Sequence, residues 1–246
     1  MMNAKTRMRE ITDRARCGAV VLSRLNADEK NEILFLMAKE LNAARENIKK
    51  ANLVDVKAAE KSGKTEAFID RLELTDDRID GMCQMMKDVA KIDDPVGSII
   101  ERKERPNGLR IEKVRVPIGV IGIIYEARPN VTADCISLCL KSGNAVILRG
   151  GSDSINSNKA IYSVLREAAL KRGLDDGAFI LVEDTSRDLV NAMLEASGGI
   201  DLIMPRGGES LIREVSEKSK VPVIKHYKGI CSIYVDDEAD LNMAVK

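Results

Sequence analysis

A chain of 246 residues, 44% apolar and 32% charged, has the balance of a globular protein and enough length to bury a sizeable core. Its 39 basic and 39 acidic side chains cancel, which excludes a net field drawing it to nucleic acid or an anionic membrane, and with no Trp, three Phe and four Tyr it offers few platforms for stacked bases. No apolar run is long enough to span a bilayer, and the start MMNAKTRMREITDRAR is charged and amphipathic rather than signal-like, so small-molecule partners and a cytoplasmic location are expected.

Residues 1–93 read as helical. Asn26 with Glu29 three positions on is a capping-box start. Ile33, Leu34, Met37, Leu41 and Ile48 continue at helical spacing toward a stop at Gly63. Thr75 with Asp76 and Asp77 opens another helix, whose inner face is Ile79, Met82, Met86 and Val89; core packing is the expected use of its methionines. Asp94-Pro95 ends that helix. Residues 97–105 and 109–116 then read as two β-arms joined at Asn107-Gly108, a hairpin dipeptide. Both arms are heavily charged. The ribbon should therefore be exposed, and being marginal alone it should pair with another part of the chain or a second subunit.

From Pro117 the pattern changes. Apolar runs IGVIGIIY, AVILR, AFILV and DLIM alternate with helical segments 131–142, 156–172 and 186–196. This predicts an α/β fold, a parallel sheet with helices on both faces. A helix over 209–219 and two short strands within 222–236 follow, and a last helix starts near Glu238 and is cut after two turns. A natural domain rarely ends in mid-helix, so a continuation past Lys246 is expected. Three parts result: helices over 1–93, a ribbon over 94–116, and an α/β part over 117–246 that is incomplete at its C-terminal end.

Two glycine pairs end strands of this sheet. Arg149-Gly150-Gly151-Ser152 reads either as a cofactor turn or as a plain tight turn, since the G-x-G-x-x-G fingerprint is absent. An arginine there suits a ribose 2′-phosphate, whereas an acidic residue would suit the 2′-hydroxyl, which favours NADPH over NADH. Pro205-Arg206-Gly207-Gly208-Glu209-Ser210 repeats the arrangement at a helix start that favours phosphate. Glu126-Ala127-Arg128-Pro129-Asn130 ends the first strand of the sheet. Arg128 reads as a phosphate or carboxylate clamp or as a surface charge. The Asn130 amide reads as an oxyanion donor, or Asn130 or Thr132 as a helix N-cap. Gly63-Lys64-Thr65 is not a phosphate loop, because Ala58 stands where the upstream glycine is needed and no strand precedes it. Five scattered cysteines argue against disulfides, and Cys135 with Cys139 read as small buried residues; no metal is expected. His226 is the only histidine and reads as a titrating or a structural group.

Several segments together resemble the gamma-glutamyl phosphate reductase family of the aldehyde dehydrogenase superfamily. They are Asp70-Arg71-Leu72 with Arg78-Ile79, Asp94-Pro95-Val96-Gly97, residues 105–158, Asp201-Leu202-Ile203, Pro205-Arg206-Gly207-Gly208 and PVIKHYKGICSIYVD at 222–236. EARPNVT, SGNAVILRGG and PRGG in this order are specific. The resemblance implies an aldehyde-dehydrogenase-like, Rossmann-type fold with the ribbon protruding. It implies NADPH-dependent reduction of L-glutamyl 5-phosphate to L-glutamate 5-semialdehyde with release of phosphate, in proline biosynthesis, through a cysteine thioester. Cofactor contacts would be Glu126, Arg149, Gly150, Gly151, Ser152, Arg206, Gly207, Gly208 and Ser210. Arg149 to Ser152 would meet the adenosine ribose, and Gly207, Gly208 and Ser210 the pyrophosphate. Arg128, Asn130 and His226 would be substrate or oxyanion contacts. The family's nucleophilic cysteine falls beyond Lys246, so this chain alone is expected to be the inactive cofactor-binding portion. A homo-oligomer through the ribbon and a glutamate 5-kinase partner are also implied. The alternatives are a non-catalytic nucleotide-binding or assembly module, and another acyl-reducing member of the superfamily.

Overall fold

In the computed structural model, which describes residues 3–225 and 232–245, Asn3 caps helix α1 (Ala4–Leu22) by accepting from the Thr6 N–H at 2.8 Å. The capping box is present at α2 (Ala27–Ala43): Asn26 accepts from the Glu29 N–H at 3.0 Å, and Glu29 accepts from the Asn26 N–H at 2.8 Å. That helix does not run on to Gly63. It breaks at Ala44 and a new helix, α3 (Arg45–Lys61), begins without a side-chain cap. Leu41 and Ile48 thus lie on different helices, yet both are fully buried, so the apolar spacing could not reveal the break. Gly63 then leaves α3 with φ +70°. Thr65 caps a short helix α4 (Glu66–Leu72), and Thr75 caps α5 (Asp76–Lys91), whose Ile79, Met82, Met86 and Val89 are all buried. The methionine stripe is core.

Strands β1 (Ile99–Glu104) and β2 (Arg110–Val114) form an antiparallel ribbon exposed along its whole length. Its turn differs from the expected one. The Gly108 N–H donates to the Arg105 carbonyl at 2.8 Å, so Pro106 and Asn107 are the central residues and Gly108, at φ +81°, follows them. Proline's fixed φ suits the first central position of such a turn, and glycine alone takes the left-handed position cheaply.

The sheet consists of β3 (Val120–Tyr125), β4 (Ala145–Arg149), β5 (Phe179–Leu181) and β6 (Leu202–Arg206), all parallel, in the order β5-β4-β3-β6. The connecting helices are α6 (Asn130–Lys141), α7 (Ile155–Lys171) and α8 (Arg187–Leu194). Helices α6 and α7 pack together on one face, α1 and α8 on the other. The chain steps outward from β3 to β5 and then returns to place β6 on the far side of β3. That reversal opens a crevice between the carboxyl ends of β3 and β6, where open α/β sheets bind ligands.

The N-terminal helices share the sheet's hydrophobic core. A Cβ on Gly18 would lie 2.3 Å from the Ala178 nitrogen, and one on Gly177 would lie 1.9 Å from the Arg14 carbonyl oxygen, so α1 meets the turn before β5 at a contact only glycine permits. Arg16 forks onto Asp201 at 2.6 and 2.8 Å, and Asp201 also accepts from the Val120 N–H at 2.8 Å. This ties α1 to the amino ends of β3 and β6. After α9 (Glu209–Lys218), the expected pair of short strands reduces, among the described residues, to one bridge between Val223 and Ile203. The last helix, α10 (Leu241–Ala244), is capped by Asp240, slightly later than the expected start near Glu238.

Candidate functional site

Glu126 stands at the mouth of the crevice. Its N–H donates to the Arg206 carbonyl at 3.1 Å, which extends the pairing of β3 with β6 by one residue. Its carboxylate accepts from the Gly208 N–H at 3.0 Å. A Cβ on Gly207 would lie 2.5 Å from Glu126 Cδ, so the glycine is needed to admit this carboxylate. Gly208 is the N-cap of α9 and offers no side chain, which leaves the first turn of that helix uncapped apart from Glu126. Glu126, Arg206, Gly207 and Gly208, four of the expected cofactor contacts, line one cavity of about 370 Å³ together with Arg71, Arg128 and Val131. Ser210 sits in the first turn of α9. An exposed side chain of the chain's own thus already holds the Gly208 N–H.

The other glycine pair is built differently. Arg149 closes β4 and donates from Nη2 to the Thr185 carbonyl at 2.6 Å, while its buried Nε has no hydrogen-bond partner. Burial lowers the pKa of this guanidinium, opposed by the charge of Asp184. Gly150 is pressed against Asn158 and Tyr125: a Cβ there would lie 2.3 Å from Asn158 Nδ2. Behind it runs a buried polar chain. The Tyr125 and Thr132 hydroxyls are 2.7 Å apart, Thr132 donates to Asn158 Oδ1 at 3.2 Å, and Asn158 donates to Ser154 Oγ at 3.0 Å. Burial pushes the Tyr125 hydroxyl above its usual range, so it stays protonated. Ser152 opens a 3-10 turn (Ser152–Ser154) that leads into α7.

The start of α7 already holds an anion. Asp55, 3% exposed on α3, accepts from the Ser157 N–H at 2.7 Å, the Ser157 hydroxyl at 2.6 Å and the Asn156 amide at 2.7 Å. A buried carboxylate thus occupies the positive end of α7, whereas only the exposed Glu126 occupies that of α9. The two glycine pairs, alike in sequence, therefore differ in kind. The Gly150 turn is fixed by packing and the Gly207 turn faces the crevice. Asp55 carries no local signal of this role, because its partners lie a hundred residues later in the chain.

Arg128 and Asn130 are also at the crevice. Pro129 is the N-cap of α6, so neither Asn130 nor Thr132 caps it. The Asn130 amide donates to Asp134 at 3.2 Å. Burial raises the pKa of Asp134, against the pull of the Asn130 hydrogen bond and the Arg206 charge. Arg128 lines a second cavity of about 370 Å³ with Arg71, Arg78, Met82, Asn130 and Asp134. Arg78 is held there by the Asp70 carboxylate at 2.9 Å and the Glu73 carbonyl at 2.8 Å. Arg71 and Arg78 entered the sequence reading only as part of a resemblance; their place at the crevice follows from the packing of α4 and α5. His226 lies outside the described residues.

Burial pushes the Cys135 thiol up to about 12, and raises Cys83 and Cys139 as well. These three cysteines are held as thiols, the wrong state for a nucleophile. Cys17 is exposed on α1. Among the described residues no group of His, Cys, Asp and Glu could hold a metal ion, and no helix is long and apolar enough to cross a membrane.

Comparison with known proteins gives a consistent result. Residues 2–246 match the model of the Aldehyde dehydrogenase family. The chain is 49% identical over 244 residues to a gamma-glutamyl phosphate reductase of Persephonella marina, covering 99% of this chain and 55% of the relative. It is 51% identical over 235 residues to that of Aquifex aeolicus, covering 96% and 54%. The crystal structure of gamma-glutamyl phosphate reductase from Thermotoga maritima superposes with a TM-score of 0.89 at 44% identity, over 96% of this chain and 57% of that one. A probable aldehyde dehydrogenase from Listeria monocytogenes shares the fold, with a TM-score of 0.66 at 15% identity over 90% of this chain and 46% of that one. The chain spans about half the length of the curated relatives it matches.

Proposed function

Because the chain belongs to the aldehyde dehydrogenase family, we propose that it supplies the cofactor half of an enzyme reducing L-glutamyl 5-phosphate to L-glutamate 5-semialdehyde, with NADPH as hydride donor and release of phosphate. The observation that carries this reading is the identity of about half the residues, over nearly the whole chain, to relatives bearing that enzyme's name.

The residues at the crevice fit such a cofactor. The first turn of α9, with Gly207, Gly208 and Ser210, presents N–H groups to a pyrophosphate once Glu126 swings aside. Arg149, with its Nε unpartnered, is the cation for a ribose 2′-phosphate, which underlies the preference for NADPH over NADH. Gly150, Gly151 and Ser152 keep that edge of the site low enough for the ribose to approach. A nicotinamide supplies hydride; the chain's residues bind, orient and neutralise. Arg128 and Asn130 flank the substrate's path. Ile99, Ile111 and Val114 are exposed on the ribbon and suit contact with a second copy of the chain.

A chimera tests this reading. The chain replaces the matching half of a relative, and phosphate-dependent formation of NADPH from glutamate 5-semialdehyde is followed. Turnover near that of the relative is expected; a folded chimera that binds NADPH without turnover would favour a non-catalytic nucleotide-binding module.

A further inference from the structure

We propose that Arg71 and Arg128 form a phosphoryl clamp, separate from the cofactor's anion seat, that holds the phosphate of the acyl phosphate substrate. The inference deepens the function proposed above and rests on it for the identity of the substrate.

The two cavities beside the crevice, each about 370 Å³, share these two residues and no other lining residue. Arg71 and Arg128 therefore stand on the boundary between them. Arg71 is steadied by its own helix, its Nε donating to the Ala67 carbonyl at 2.9 Å, which leaves both terminal nitrogens of the fork to a ligand. Neither arginine forms an ion pair with a described residue, although carboxylates line the same walls. Two of those carboxylates are engaged elsewhere, Glu126 with the Gly208 N–H and Asp134 with the Asn130 amide, and the third, Glu73, forms no ion pair with either arginine. The neighbouring Arg78 is already paired with Asp70 at 2.9 Å. Two unpaired guanidinium forks on one boundary match a tetrahedral dianion, whose oxygens can accept from both. The boundary lies between α4 and the residues leading into α6; the cavity on one side of it reaches Gly207 and Gly208 at the start of α9, and the cavity on the other side does not. A substrate phosphate there leaves the α9 turn to the cofactor.

The test uses the chain as it exists, with inorganic phosphate as probe at fixed ionic strength. Phosphate binding is measured by calorimetry for the wild type and for Arg71→Gln, Arg128→Gln and Arg71→Lys, with and without saturating NADP+. One saturable phosphate site is expected. Each glutamine variant should weaken it by about tenfold and the lysine variant by less, with unfolding temperatures unchanged. NADP+ should leave the phosphate affinity unaltered. Wild-type affinity in both glutamine variants would overturn the proposal. So would one-for-one competition between phosphate and NADP+, which would place the phosphate in the cofactor's seat. Intact NADP+ binding with no arginine-dependent phosphate site would overturn the clamp and leave the cofactor reading standing. An arginine-dependent phosphate site in a chain that does not bind NADP+ would do the reverse.

Discussion

The Glu126 carboxylate accepts the backbone N–H of Gly208 at 3.0 Å, so the start of α9 is held by an anion belonging to the neighbouring strand end. A helix N-terminus left bare favours any anion that reaches it. Here a side chain keeps the place, and a phosphate must displace it. Because Glu126 is exposed, the displacement is a rotation into solvent and requires no unfolding.

Glu126→Gln should therefore tighten NADP+ binding by about fivefold, because the substitution keeps an acceptor but removes the charge that repels phosphate. Calorimetric titration of the two proteins decides it. Weaker binding by the variant would mean that Glu126 grips the cofactor directly.

Arg149→Gln should cost NADPH about ten- to a hundredfold in affinity and leave NADH nearly unchanged, since only the former carries the phosphate that a charge-assisted hydrogen bond would hold. Parallel fluorescence titrations with the two nucleotides give the ratio. An equal loss for both would make Arg149 a structural brace to the Thr185 carbonyl.

Asp55→Ala should lower stability by about 2–4 kcal/mol, because it strips partners from the Ser157 N–H, the Ser157 hydroxyl and the Asn156 amide in a buried place. Urea denaturation measures it. A loss under about 0.5 kcal/mol would mean that water satisfies the start of α7 as well as Asp55 does.

Alkylation should follow burial. The thiols of Cys83, Cys135 and Cys139 are raised by desolvation, so their thiolates appear only at pH values above that of an ordinary cysteine. Iodoacetamide should label exposed Cys17 and, even at mildly alkaline pH, leave those three unlabelled in the folded protein, as read by peptide mass spectrometry. Fast labelling of Cys135 at neutral pH would reveal a thiolate near Arg206 and a nucleophile within this chain.

The strands of the sheet, the capping box at Asn26 and the core role of Met82 and Met86 were legible because each rests on a local pattern. The break at Ala44 was not, since both flanking helices bury residues at spacings one helix would also satisfy. The hairpin was placed correctly, but its turn was misread: Pro106, not Gly108, takes a central position. Residue types and their order singled out Glu126, Arg128, Arg149 and the glycine pairs, of which the structure brings Glu126, Arg128, Gly207 and Gly208 to one cavity. What separates the two glycine pairs is long-range: Asp55 on α3 closes one helix start, and Glu126 guards the other. Arg71 reaches the crevice through the packing of α4, which no local pattern encodes.

Amide hydrogen exchange of the chain with and without saturating NADPH tests most directly whether the cofactor lies across the carboxyl ends of β3, β4 and β6. Protection should rise at Gly208 to Leu211 and at Arg149 to Ser152, and stay unchanged along the exposed β1–β2 ribbon. Saturable binding with no change at either turn would place the nucleotide elsewhere and contradict the account.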